Sequence, residues 1–296
     1  QPSVEYPLNT AELDQDEQAL QQVLQSAKSQ RVPTMTQLVD LIAINELLGT
    51  VESSGDGKNA NLVAQLETES LAAKAAEFKT TNNDDTIGWI RIPNTNVDYP
   101  VVYKAGVENY AYYESKGYDK QYSKDGVIWA DYECTFPELS QNTTLYGHNW
   151  HNIYTPRTQA NMQANDLMFS LVMSYNYTDF AQENPFVYFS TTEQDYVFQV
   201  FASYYTDLNF GYNYAQMSQE DFQKVIAEAK AKSLSNYNVP VTSEDKIVTL
   251  STCTRVHGNT NNQRFVVMAK LVPVGTPSTT ISTHSNPIAY NSSIDA

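Results

Sequence analysis

Two β-branched, apolar runs, Val248-Thr249-Leu250-Ser251-Thr252-Cys253 and Arg264-Phe265-Val266-Val267-Met268-Ala269-Lys270, flank a polar loop carrying Gly258, Asn259, Asn261 and Asn262. That is a hairpin-like signature, and it requires a sheet. Cys253 closes the first run and Arg264 opens the second. In an antiparallel pair such ends lie side by side, roughly 5 Å apart between Cα atoms. A thiol and a guanidinium then share one patch of space. A thiol that attacks a carbonyl needs a cation or donor nearby to hold the developing oxyanion.

The same kind of pattern extends upstream. Residues 87–92 read as a strand, Pro93-Asn94-Thr95-Asn96 as a turn, and 97–103 as a second strand in which Pro100 marks a bulge or an edge. Further strands are expected at 126–130, at 143–147 ending in His148-Asn149, at 186–190, and at 196–205 beyond a Thr192-Glu193-Gln194-Asp195 turn. Residues 165–180 read as one or two short helices. A clear helix covers 219–234, started by Ser218 with Asp221 three residues on. Many short strands with turn signals and few long helices predict a mostly β, α+β fold whose mixed sheet closes into a barrel.

Before residue 80 the periodicity is helical, at 11–28, 38–48 and 62–78, with a joint at Ser53-Ser54-Gly55-Asp56-Gly57. The expected division is an N-terminal helical extension over 1–57, a barrel domain with its own helix over 58–273, and a tail over 274–296. The tail is rich in Ser, Thr, Pro and Asn, a composition that predicts disorder.

Net charge is −16, which argues against a general nucleic-acid binder and against docking on an anionic membrane. No run approaches the ~18 apolar residues of a membrane span. The chain starts at Gln1, and the expectation is a mature form without its leader or membrane anchor. The 2 cysteines cannot build a disulfide framework; two free thiols or one disulfide are both open, and the strand-end place of Cys253 favours a working thiol. Cys134 follows Asp131-Tyr132-Glu133, acidic neighbours that disfavour a thiolate, and reads as non-catalytic.

A thiol is mostly protonated at neutral pH and needs a basic partner. Of the 4 histidines, His148 ranks first because it stands just past an apolar strand, and His257 second, in the loop beside the thiol. His148 and His151 are three apart, but no third or fourth ligand recurs at regular spacing, so neither a metal nor a cofactor is expected. Arg264, which starts a strand, is preferred over the loop residue Arg255 for the oxyanion.

These residues resemble the sortase family, and more closely its class B. Thr249-Leu250-Ser251-Thr252-Cys253 with Arg264-Phe265-Val266-Val267 is similar to the nucleophile and arginine strands. Leu145-Tyr146-Gly147-His148-Asn149 is similar to the strand-end histidine motif. Gly88-Trp89-Ile90-Arg91-Ile92-Pro93 with Val97-Asp98-Tyr99-Pro100-Val101-Val102 is similar to the first barrel strands. The match runs over about residues 85–273, and the 219–234 helix is similar to the helical insertion of class B. The resemblance implies a closed barrel of about eight strands with peripheral helices. It implies Cys253 as nucleophile, His148 as general acid and base, and Arg264 as stabiliser of substrate and oxyanion. Ser251, Thr252 and Asn149 would help bind the peptide. The implied reaction cuts a sorting-signal peptide after Thr and passes the acyl group to an amine of a cell-wall precursor or a pilin, on the outer face of the membrane of a Gram-positive bacterium. One position departs: some class B members carry an acidic residue two after the cysteine, where this chain has Arg255.

Two other readings stay open on the sequence. One is a thiol hydrolase or protease of the same barrel, releasing its acyl group to water. The other is a catalytically inactive wall-binding module.

Overall fold

The computed structural model describes residues 62–294. The helices expected over 11–28 and 38–48, and the 57/58 boundary, lie outside the described residues. Within them the chain forms β1 (Thr86–Arg91), β2 (Asp98–Val102), β3 (Ile128–Ala130), β4 (Asn142–Tyr146), β5 (Phe186–Thr191), β6 (Val197–Asp207), β7 (Ser235–Asn236), β8 (Ile247–Cys253), β9 (Gln263–Val272) and β10 (Ser282–Thr283). The helices are α1 (Leu71–Thr81), α2 (Thr178–Glu183) and α3 (Gln219–Lys232).

Eight strands close into a barrel in the order β1-β2-β3-β4-β8-β9-β6-β5. Two of its pairings are parallel, β2 with β3 and β4 with β8. A parallel pair needs a long crossover. The crossover from β4 to β8 carries α2, α3, β5, β6 and the 3₁₀ turns of Ser170–Asn176. The seam between β1 and β5 depends on Gly88, where a Cβ would lie 2.2 Å from the Ser190 carbonyl oxygen. Pro100 sits in β2 one residue ahead of the stretch that pairs with β3, and the irregularity it suggested is a register shift between Thr86 and Gly88 on the facing strand.

The core fills the barrel with Ile90, Leu145, Phe189, Phe198, Leu250 and Val267, all at 0% exposure. Burying each such side chain contributes about 1.5–3 kcal/mol. Every residue of β6 is buried, because α3 packs on its outer face. Phe222, Ile226 and Ala229 supply the buried stripe of that helix. The Ser218 hydroxyl caps α3 by accepting from the Asp221 amide at 3.1 Å.

The structure departs from the sequence expectation in two linked places. The helix expected over 62–78 begins only at Leu71. Ser70 caps it and also donates to Asp195 at 2.6 Å, while the Ala72 amide donates to the same carboxylate at 2.8 Å. That carboxylate sits at the positive end of the helix dipole. The backbone before it runs extended: Ala64 N donates to Thr276 O at 2.8 Å, Gly275 N to Ala64 O at 2.7 Å, and Ser278 N to Leu62 O at 2.6 Å. Tertiary pairing thus takes hydrogen bonds that a longer helix would have used internally.

The second departure is the tail expected to be disordered, which is ordered through Ile294. Its β10 pairs with β7, and Ile281 is buried. The Lys232 ammonium donates to the carbonyls of Ala289 at 3.5 Å, Tyr290 at 3.1 Å and Ser292. Polar composition failed as a signal here because the tail's backbone finds protein partners.

Candidate active site

Three strand ends meet at one rim of the barrel. In the antiparallel pair of β8 and β9, Cys253 is the register partner of Arg264. The hairpin expectation for these two residues therefore holds. In the parallel pair of β4 and β8, Leu145 faces Leu250 and Tyr146 faces Ser251. That ladder ends two residues short of both His148 and Cys253, so the two hold matching positions past its last rung. Three contacts hold β4's end in that position: Gly147 N donates to Ser251 O at 3.4 Å, Thr252 Oγ1 to Gly147 O at 2.8 Å, and Asn149 Nδ2 to Cys253 O at 3.3 Å.

Cys253, Arg264 and His148 are each partly exposed, as a reactive rim requires. One guanidinium nitrogen of Arg264 donates to the carbonyls of Asn261 and Gln263, both at 2.9 Å. These two bonds fix the cation at the mouth of the β8–β9 loop. The His148 imidazole packs against Trp129, with ring centroids 5.7 Å apart, and against Trp150, at 4.9 Å. Its Nε2 is 2.5 Å from the main-chain carbonyl of Glu114.

Ser251, Thr252 and Asn149 are buried beneath this rim. The Ser251 hydroxyl pairs with the Tyr212 hydroxyl at 2.8 Å, and that of Thr252 is taken by Gly147. Asn149 Oδ1 accepts from the Asn152 amide at 2.9 Å and the Ser170 hydroxyl at 3.2 Å. Their polar groups are thus engaged within the protein, locking the ends of β4 and β8. Tyr212, Trp129 and Trp150 were not singled out from the sequence. Trp150, two residues past His148, carried a signal in its closeness. Tyr212 lies in the irregular 208–217 stretch and carried none. Burial holds the Tyr212 phenol above its ordinary range, against the Ser251 hydrogen bond and the nearby Arg264 cation, which pull it down.

The remaining candidates stand apart from this rim. His151 is exposed. His284 donates from Nδ1 to the Ser233 carbonyl at 2.7 Å, in the tail. His257, in the β8–β9 loop, packs against the rings of Tyr205 and Tyr290. Arg255 reaches Asn261 Oδ1 at 2.7 Å. Cys134 is buried with its thiol 3.9 Å from the Asn142 carbonyl oxygen. Burial, with help from the Asp131 and Glu133 charges, pushes that thiol up to about 12, so it stays protonated and inert. Among the described residues no group of three or more His, Cys, Asp and Glu is placed to hold a metal ion. No described helix is long and apolar enough to cross a membrane.

A barrel that gathers a thiol, a guanidinium and an imidazole at neighbouring strand ends falls in the class of cysteine-dependent enzymes. Comparison with known proteins gives the class its family. A family model for the Sortase domain matches residues 90–272. Sortase B of Staphylococcus aureus is 30% identical over 193 residues, 65% of this chain and 72% of that protein. Sortase B of Listeria monocytogenes is 29% identical over 191 residues, 64% of this chain and 71% of that protein. Among solved structures, a Staphylococcus aureus sortase B–substrate complex superposes with a TM-score of 0.57 at 27% identity, covering 70% of this chain and 88% of that one. Clostridium perfringens sortase B superposes with a TM-score of 0.55 at 27% identity, covering 67% and 98%. The chain belongs to the sortase family, class B, and is a cysteine transpeptidase.

Proposed function

We propose that this transpeptidase cleaves a sorting-signal peptide after its Thr and carries the acyl group on Cys253. The Cys253 thiol passes its proton to His148 as the sulfur attacks the Thr carbonyl, and an S–C bond forms as the C–N bond breaks. His148 gives its proton to the leaving amine, then takes one from the incoming amine when the thioester is resolved, as reversibility requires. Arg264 holds the charge that develops on the carbonyl oxygen. Ser251, Thr252 and Asn149, buried beneath the rim, support the peptide site by holding the ends of β4 and β8 in register. The observation that carries this reading is the direct pairing of Cys253 with Arg264. The acceptor is an amine of a cell-wall precursor or of a pilin, met at the outer surface of a Gram-positive cell to which the full protein is membrane-anchored. The peptide class expected from class B is one beginning Asn-Pro.

Mass spectrometry tests this. The protein is mixed with Asn-Pro and Leu-Pro sorting peptides, with and without an amine acceptor, beside Cys253→Ala. An acyl adduct on Cys253 that resolves to an amine-linked product is expected with the Asn-Pro peptide. Release to water alone, unaffected by amine, would indicate a hydrolase instead. No adduct, from a folded protein whose Cys253 also ignores alkylating reagents, would sink the proposal and favour an inactive wall-binding module.

A further inference from the structure

His148 is gripped from the side opposite its strand by the loop that joins β2 to β3. The imidazole Nε2 lies 2.5 Å from Glu114 O. A peptide carbonyl oxygen offers only lone pairs, so the nitrogen that meets it must carry the hydrogen. The carbonyl is not free to turn away. Glu114 N donates to Ala111 O at 3.2 Å, Ser123 N to Ser115 O at 3.0 Å, and Gly126 N to Ser123 O at 3.4 Å, so the loop is tied to itself. The Trp150 indole, packed at a 32° tilt against the imidazole, donates to Lys124 O at 3.0 Å and anchors the same loop a second time.

Gly126 completes the contact. Its φ is +62°, and a Cβ there would stand 2.9 Å from His148 Cδ2, 3.2 Å from Glu114 O and 3.3 Å from His148 Nε2. A side chain would press on the imidazole and on the carbonyl together.

We propose that the Glu114 carbonyl fixes His148 as the Nε2–H tautomer, leaving Nδ1 to exchange protons with the thiol and the substrate amine, and that Gly126 is the positioning residue that keeps this contact open. The inference rests on the reading of His148 as general acid and base. In the catalytic sequence Nδ1 takes the Cys253 thiol proton, giving thiolate and imidazolium. It returns that proton to the leaving amine nitrogen as the C–N bond breaks. Nε2 keeps its hydrogen and donates it to Glu114 O throughout, so the ring is held in one orientation in both charge states. The titratable or charged groups on the elements around it are Cys253 and Arg264 on β8 and β9, His151 just beyond it, and Glu114, Lys116, Lys124 and Asp125 on the loop.

Nitrogen-15 NMR of the histidine rings, at a pH where they are neutral, reads the tautomer directly, with His148→Gln assigning the signal. The expected result is a hydrogen on Nε2 in the wild-type protein. Gly126→Ala is expected to mix the tautomers, to shift a limb of the pH–rate profile, and to lower kcat on the order of tenfold with little change in KM. Gly275→Ala is the control: it has φ of +89° but nothing within 4 Å of its Cβ, so it carries backbone strain without that pressure and should leave both readouts unchanged. Circular dichroism checks that each variant folds. A hydrogen on Nδ1 in the wild type, or a folded Gly126→Ala with unaltered tautomer and pH profile, overturns the inference. His148→Ala separates it from the reading beneath: turnover lost there while the wild-type ring carries Nδ1–H sinks this inference alone, and turnover retained sinks the acid–base role itself.

Discussion

The imidazole of His257 stacks face to face on the ring of Tyr290, with centroids 4.6 Å apart and planes 6° from parallel. Tyr205 meets the same imidazole edge-on at 4.7 Å. The C-terminal tail thereby touches the loop between the Cys253 and Arg264 strands. Burial holds the His257 pKa below its ordinary value of 6.5, because a covered ring disfavours the cation. As pH falls below about 6.5 the unfolded chain binds this proton first, so the group's contribution to stability is intact above that pH and is lost as pH drops toward the folded value. Tyr290→Ala uncovers the ring, and its titration, followed by proton NMR, is expected to move up toward 6.5. An unmoved titration would mean the stack does not persist in solution.

Arg264→Ala is expected to lower kcat on the order of 10²–10³-fold, the usual loss when one oxyanion donor is removed. Arg264→Lys keeps the charge but not the planar fork, and should recover only part of it. Steady-state turnover of the sorting peptide reads both, and wild-type kcat in Arg264→Ala would move the oxyanion role elsewhere, with Arg255 the first alternative.

The two thiols should differ sharply toward alkylation. Cys134 is 2% exposed and its thiol is pushed up to about 12, whereas Cys253 is partly exposed. Native labelling near pH 8 should give one adduct, on Cys253, and labelling after denaturation should give two. Modification of Cys134 in the native protein would contradict the packing described around it.

Lys232 is buried, pairs with Glu228 at 3.3 Å and holds three tail carbonyls. Lys232→Met should cost about 3 kcal/mol in a urea titration, because it strands the Glu228 carboxylate and the carbonyls together. Glu228→Gln added to it should recover part of the loss. The tail beyond 284 should also become an early target of limited proteolysis in the single variant. A loss under 1 kcal/mol, with an intact tail, would mean Lys232 is replaceable by solvent.

Much of the barrel could be read from period and punctuation. The strands around 87–103, 186–205 and 246–272 appear within a few residues of their expected limits because β-branched runs ended by Gly, Pro and Asn leave little choice of structure. Cys253 and Arg264 were legible together because a hairpin pairs residues near in sequence. The place of His148 beside Cys253 was legible only in part: the strand-end motif marked the residue, but its neighbour depends on a parallel pairing of β4 with β8, about a hundred residues away in sequence, which no local pattern encodes. The Glu114 carbonyl and Tyr212 were hidden for the same reason, one being backbone and the other in a stretch without periodicity. The helix over 62–78 and the disordered tail both misled, since local propensity was overruled by tertiary pairing: Leu62 and Ala64 pair with 275–278, and the rest of the tail with β7 and Lys232.

That mutual pairing sets where the enzyme can be shortened. The family match ends at residue 272, and a chain cut there would look complete by its strands. It would leave Leu62 O and both polar groups of Ala64 without the partners that Gly275, Thr276 and Ser278 supply, and Lys232 would lose its three tail carbonyls. The unit that folds on its own is therefore wider than the barrel. Trimming the residues after 272, whether by a protease or by an experimenter, acts at the start of the domain and on the loop beside the nucleophile as much as at the site of the cut.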